Sequence, residues 1–173
     1  MISIILVGRT ISGFHQLIDH VSSAFKSEVS TQLIDFPVTR SFRSSREQYD
    51  AEMFLKEMNI VGNGKTTFLI REDIFVGPLD FVFGFAKNNH CVVSTVRLDP
   101  RFYGEKDMSK ASELFKERIR KEVLHELGHT LGLSHCSGTC IMVHSDSING
   151  VDKKGLDFCE DCKLKLKKQE LTH

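Results

Sequence analysis

The chain has 173 residues, and its 23 lysines and arginines are balanced by 23 aspartates and glutamates, so charge alone does not mark it as a binder of nucleic acid or membrane surface. That length suffices for one sizeable core, and three prolines with no serine-rich or glycine-rich tract give no sign of a linker, so a single domain over 1–173 is expected. No apolar run approaches the roughly 20 residues of a membrane span, which argues against a helical membrane protein.

In chain order, Ile2–Val7 is a short run of branched apolar residues bounded by Gly8, the pattern of a buried strand rather than of a basic secretion signal. Leu17, Ile18, Val21, Ala24 and Phe25 then repeat at helical spacing after Ser12, a candidate N-cap. Further strands are expected at 32–36, 67–70, 81–85 and 91–96. A second helix is expected from Ser44, where Ser44-Ser45-Arg46-Glu47 has the capping-box pattern, to about Met58. The segment Gly62-Asn63-Gly64-Lys65-Thr66 looks like the end of a phosphate-binding loop, but the first glycine of that motif would fall at Asn59 and a strand follows, so it reads as a plain loop. A third helix over 109–131 puts Leu114, Phe115, Ile119, Val123, Leu124, Leu127 and Leu131 on its buried stripe, with Glu117 and Lys121 as an i,i+4 pair. Strands and helices in alternation predict an α/β chain with a five-stranded, largely parallel sheet, right-handed crossovers and three main helices.

The end of that third helix carries His125-Glu126-Leu127-Gly128-His129-Thr130-Leu131-Gly132-Leu133-Ser134-His135. At 3.6 residues per turn, His125 and His129 project from one face, and Glu126 sits beside them without needing to bind a metal. Gly132 suits the left-handed conformation that stops a helix, so the chain can turn back and offer His135 as a third ligand. Three neutral histidines leave zinc an open fourth position and nearly its full charge, which brings the pKa of bound water toward roughly 7. Glu126 is then the expected general base, passing the water's proton to the leaving amine, and the expected reaction is hydrolysis of a peptide bond in a peptide or protein substrate. A bare HExxH arises by chance on amphipathic helices, but Gly132 and His135 extend it to the metzincin spacing.

Of five cysteines, Cys136, Cys140, Cys159 and Cys162 form CxxxC and CxxC pairs after the histidines. Two short-spaced pairs suit a closed four-cysteine zinc site of structural role, which raises the expected complement to two zinc ions. Paired disulfides are the competing account, but they need an oxidising compartment, and with no signal segment visible a cytoplasmic setting with reduced thiols is favoured. Cys91 reads as a small core residue.

The combination HELGHTLGLSHC, Cys140-Ile141-Met142 and Cys159-Glu160-Asp161-Cys162 resembles the archaemetzincins, small metzincin-like zinc proteases. Phe81-Val82-Phe83-Gly84, Arg97-Leu98, Phe102-Tyr103-Gly104 and Val151-Asp152 extend the resemblance over most of the chain. It implies that His125, His129 and His135 bind the catalytic zinc, that Glu126 is the base, that the four paired cysteines bind a second zinc, and that Met142 is the Met-turn residue forming an apolar floor beneath the histidines. Between Cys136 and Cys140 the spacer Ser137-Gly138-Thr139 is one residue shorter than the family pattern, and Gly138 offers the tighter turn. The fold implied is of the metzincin α+β kind, with 81–85 as an antiparallel edge strand above the cleft. Residues 1–132 would then form an upper subdomain, and 133–173 a small zinc-stabilised lower one.

A second reading is a non-catalytic zinc module that contacts nucleic acid through the basic tail of Lys163, Lys165, Lys167 and Lys168. The zero net charge and the few aromatics near that tail argue against nucleic acid; the expected partner is a peptide or protein substrate, with no membrane partner, and a monomer is expected. Position alone leaves His144 between assisting the site and facing solvent.

Overall fold

A computed structural model describes residues 1–37, 39–58 and 64–170. Its main sheet has the order β2-β1-β5-β8-β7, built from β1 (Ile2–Val7), β2 (Val29–Ile34), β5 (Lys65–Ile70), β7 (Gly84–Lys87) and β8 (His90–Ser94). All neighbours are parallel except β7, which runs antiparallel to β8 and closes one edge. Helices α1 (Phe14–Phe25) and α3 (Met108–Thr130) cover one face, and α2 (Ala51–Met58) covers the other. This explains why the strands read as continuous apolar runs: Ile4 and Leu6 of β1 face α1 and α3, while Ile5 and Val7 face α2. The α/β class, the five-stranded sheet and the antiparallel edge thus follow the sequence expectation, and Cys91 is a buried core residue as expected.

Strand β2 lies at Val29–Ile34 instead of 32–36 and α1 is preceded by Gly13 at its cap position instead of Ser12, and two elements differ more. Residues 44–47 begin no helix; they form the turn between β3 (Phe42–Arg43) and β4 (Gln48–Asp50), with Glu47 at φ 54°. Strand β4 pairs in turn with β6 (Ile74–Phe75) in a small second sheet. Distant partners override the local capping pattern: the Arg46 guanidinium donates to the Leu79 and Asp80 carbonyls and stacks over Phe75, and Gln48 Nε2 donates to Asp73 and to the Asp80 carbonyl. Helix α2 therefore begins later, where Asp50 Oδ1 accepts the Met53 N–H at 3.1 Å. The second difference is at the edge strand, which begins at Gly84 instead of residue 81. Val82 N–H bonds the Ile74 carbonyl of β6, tying the lead-in segment to the small sheet. In the glycine-rich segment 62–66, residues 62 and 63 lie outside the described residues, and Lys65 and Thr66 open β5.

Helix α3 starts at the Asp107 cap and is buried almost all round in its second half. Its expected stripe holds except at Leu114, which is half-buried outside the core: Ile119, Val123, Leu124 and Leu127 are buried, with Phe115 and Leu131 packed beside them. However, Arg118, Lys121 and Glu122, which the pattern would leave in water, are only 5 %, 2 % and 3 % exposed. They dock the C-terminal segment with its helices α4 (Ile148–Lys153) and α5 (Glu160–Glu170). Arg118 pairs in bidentate fashion with Asp152 at 2.7 Å, Lys121 Nζ reaches the Asp152 carbonyl at 2.9 Å and Glu117 at 2.8 Å, and Glu122 pairs with Lys154. Such charges are tolerated inside only because each is neutralised in place.

Candidate metal centre and active-site cleft

The end of α3 is shaped by its own backbone bonds. Gly132 takes φ 78°, its N–H returns to the His129 carbonyl at 2.9 Å, and the Leu133 N–H reaches the Gly128 carbonyl at 3.0 Å. This double bond is a Schellman stop, which reverses the chain and carries His135 back toward the helix. The candidate ligand atoms of His125, His129 and His135 lie within 4.8 Å of one another. Two of the rings are oriented by carbonyls: His125 Nδ1 bonds the Ile141 oxygen at 2.9 Å, and His129 Nδ1 bonds the Leu133 oxygen at 2.8 Å. Each therefore keeps Nε2 for a common centre, and those two Nε2 atoms are 3.1 Å apart. Zinc–nitrogen bonds of about 2.0–2.1 Å at tetrahedral angles would set such atoms about 3.3–3.4 Å apart, so the donor set suits that ion. Burial, with Lys154 nearby, holds His125 far below its ordinary pKa, at about 2, and burial also lowers His129 and His135. Each of these shifts favours the neutral imidazole, the form that ligates.

Glu126 is buried beside them. Burial first, then the nearby Glu122 carboxylate, raise its pKa to about 8 against the opposing pull of Lys154. Its side chain lies against the edge strand at Gly84, where an added Cβ would fall 2.6 Å from Glu126 Cγ and 2.8 Å from Oε1. Met142, fully buried, packs under the helix at Gly128, where a Cβ would fall 2.5 Å from its Sδ. Residues 79–86, the three histidines, Glu126, His144, Ser145 and Asp146 line one cleft of about 530 Å³.

The four cysteines gather on the far side of the Met142 turn, with no disulfide among them. Cys136 and Cys159 sulfurs are 3.8 Å apart, and those of Cys140 and Cys162 are 3.7 Å apart. A tetrahedral ion with zinc–sulfur bonds of about 2.3 Å would separate its sulfurs by about 3.8 Å, so this set also suits zinc. The Met142 and Cys159 N–H groups point at Cys140 Sγ from 3.5 and 3.3 Å. Gly138, at φ 77°, makes the shortened turn between the first two cysteines.

With both clusters in place, comparison with known proteins is decisive: residues 2–168 match the family model described as peptidase family M54. The chain belongs to this family. It is 41 % identical to the archaemetzincin of Saccharolobus solfataricus over 133 residues, covering 74 % of this chain and 70 % of that one. The archaemetzincin of Natronomonas pharaonis is 37 % identical, with 73 % and 75 % covered. Among solved structures, that of the Methanopyrus kandleri archaemetzincin superposes with a TM-score of 0.83 at 30 % identity, covering 100 % of this chain and 96 % of that one. The Archaeoglobus fulgidus archaemetzincin, solved with malonate, gives 0.78 at 31 % identity over 95 % and 99 % of the two chains. The chain is therefore a metallopeptidase of the M54 family, and its polypeptide follows the archaemetzincin fold.

In this M54 peptidase the structure brings together every residue singled out from the motifs, as one group of three histidines beside Glu126 and one of four cysteines. Sequence reasoning assigned no role to Gly84, Gly128, Glu122 or Lys154. A signal existed for Gly84, because a glycine inside an alternating strand pattern marks close backbone approach. Nothing local marked Glu122 and Lys154, whose burial depends on how α4 docks.

Proposed function

We propose that the chain hydrolyses peptide bonds, with His125, His129 and His135 holding a catalytic zinc ion and Cys136, Cys140, Cys159 and Cys162 holding a structural one. Bound at the histidines, zinc supplies Lewis acidity and a water that ionises near neutral pH. Glu126 accepts the proton of the attacking water and returns it to the departing amine. A carboxylate pushed to about 8 by burial is a strong base for that step, and the charge of a zinc ion held at the imidazoles would favour its ionised form. The observation that carries this reading is the convergence of free Nε2 atoms beside a buried carboxylate in an open cleft. Strand β7, paired on one side only, presents free backbone groups along the cleft and would hold an extended peptide by strand addition. Residues 1–132 act as the upper unit and 133–173 as the lower, zinc-tied one. Four unpaired thiols fit a cytoplasmic enzyme, and the proposed enzyme is a monomer that acts on peptides without membrane or nucleic acid.

Digestion of a proteome-derived peptide library tests this. Zinc-loaded protein should cleave, a chelated sample should not, and added zinc should restore cleavage; cleavage indifferent to chelation would sink the proposal. The close approach at β7 gives a second expectation. Replacing Gly84→Ala pushes the Glu126 carboxyl aside, and a displacement of about 1 Å costs roughly 100-fold in turnover. Zinc content should stay that of the parent; a G84A enzyme with parental kcat would place Glu126 outside the mechanism.

A further inference from the structure

We infer that His144 is a further catalytic residue, donating an N–H hydrogen bond to the carbonyl oxygen of the peptide bond under attack. The inference rests on the peptide-hydrolysis reading above and adds to it the group that faces the developing negative charge.

Its position follows from the turn between the two clusters. Cys136 and Val143 form an isolated parallel bridge, with the Cys136 N–H on the Met142 carbonyl at 2.9 Å. The residues flanking that bridge, His135 and His144, are thereby brought together, and their ring centroids stand 4.7 Å apart at an inclination of 59°. Both rings line the cleft opposite the edge strand. Nevertheless, His144 falls outside the set of three imidazoles whose nitrogens converge, so it stands beside a bound ion's ligands and is not one of them. Whereas His125 and His129 each commit Nδ1 to a carbonyl, His144 has no hydrogen-bond partner among the described residues, and its exposed ring is free to meet a ligand.

Elimination points the same way. Among the described residues no lysine or arginine lines the cleft, and apart from the three histidines already committed, only Ser145 and His144 carry a side-chain donor there. Ser145 Oγ is buried against Gly150 of α4, whereas the His144 ring is exposed. Among side chains, His144 is left as the donor able to face a carbonyl oxygen as it turns negative. It keeps its proton throughout; Glu126 alone moves one.

Kinetics on a cleaved library peptide test this, using His144→Ala and His144→Gln with metal analysis of each. Removing one such donor typically lowers kcat by about 10²–10³-fold. The Ala variant should show that loss with KM little changed and full zinc content, and Gln, which retains an N–H donor, should recover most of the rate. A phosphinic peptide, which mimics the tetrahedral state, should bind the Ala variant about 100-fold more weakly. Parental kcat, a rise in KM alone, or loss of zinc from the Ala variant would each overturn the role of His144 while peptide hydrolysis stands. A parent enzyme that cleaves no peptide would overturn both.

Discussion

Glu126→Gln is expected to bind zinc as the parent does and to lose peptide hydrolysis by about 10²–10⁴-fold, the usual share of a positioned general base. The substitution keeps the shape and removes only the ability to take a proton. Because the site raises the carboxyl pKa from the usual 4.5 to about 8, a neutral side chain is what the buried environment favours, and the variant should fold at least as well as the parent. The sign of the pH dependence follows in the metal-free protein. A folded pKa above the unfolded one means that stability from this group is full below about 4.5 and is lost as pH rises through about 8. Thermal melts of the metal-free pair should therefore draw apart as pH rises from about 4.5 to about 8 and stay apart above it, with E126Q the more stable. The same variant separates an enzyme from a zinc-held interaction module, which has no use for this carboxylate: undiminished peptide cleavage by E126Q would remove Glu126 from the chemistry.

Cys140→Ser is expected to do the largest damage to the fold. Cys140 is buried, receives the Met142 and Cys159 N–H groups, and is followed directly by Ile141, whose carbonyl orients His125, and by Met142 under Gly128. Structural zinc contributes about 10–16 kcal/mol to folding in small zinc-finger peptides, comparable to the roughly 5–15 kcal/mol stability of a whole domain. Loss of that ion should loosen the chain beyond Gly132, so C140S should retain at most one zinc, melt well below the parent and be cut by proteases in its C-terminal third. The intact protein should bind two zinc ions of unequal lability, because the histidine site has an open position and the cysteine site does not. Mild chelation should strip one ion and leave the melt nearly unchanged. Two ions in C140S with a parental melting curve, or two ions leaving together from the parent, would refute a separate structural site.

Much of this was legible in the primary structure because it depends on local periodicity. The three histidines and Glu126 lie within eleven residues, and helix geometry followed by a glycine stop dictates most of their arrangement. Both cysteine pairs are likewise set by short spacing. The parallel sheet could be read because strands buried on both faces are uninterrupted apolar runs. Residues 44–47 suit a helix cap and a turn equally, and only the Arg46 and Gln48 contacts to 73–80 choose between them.

The amino-acid order by itself therefore determined the class of sheet, the helix that carries the histidines and the two clusters of candidate ligands, since each arises from neighbours a few residues apart. Tertiary structure alone decided that Arg118, Lys121 and Glu122 are interior, that Gly84 gives Glu126 its space, and that a single bridge between Cys136 and Val143 sets His144 beside His135. Those outcomes depend on which distant surfaces meet when the C-terminal segment docks, and the energy of neutralising a charge or filling a gap exists only once the partner has arrived.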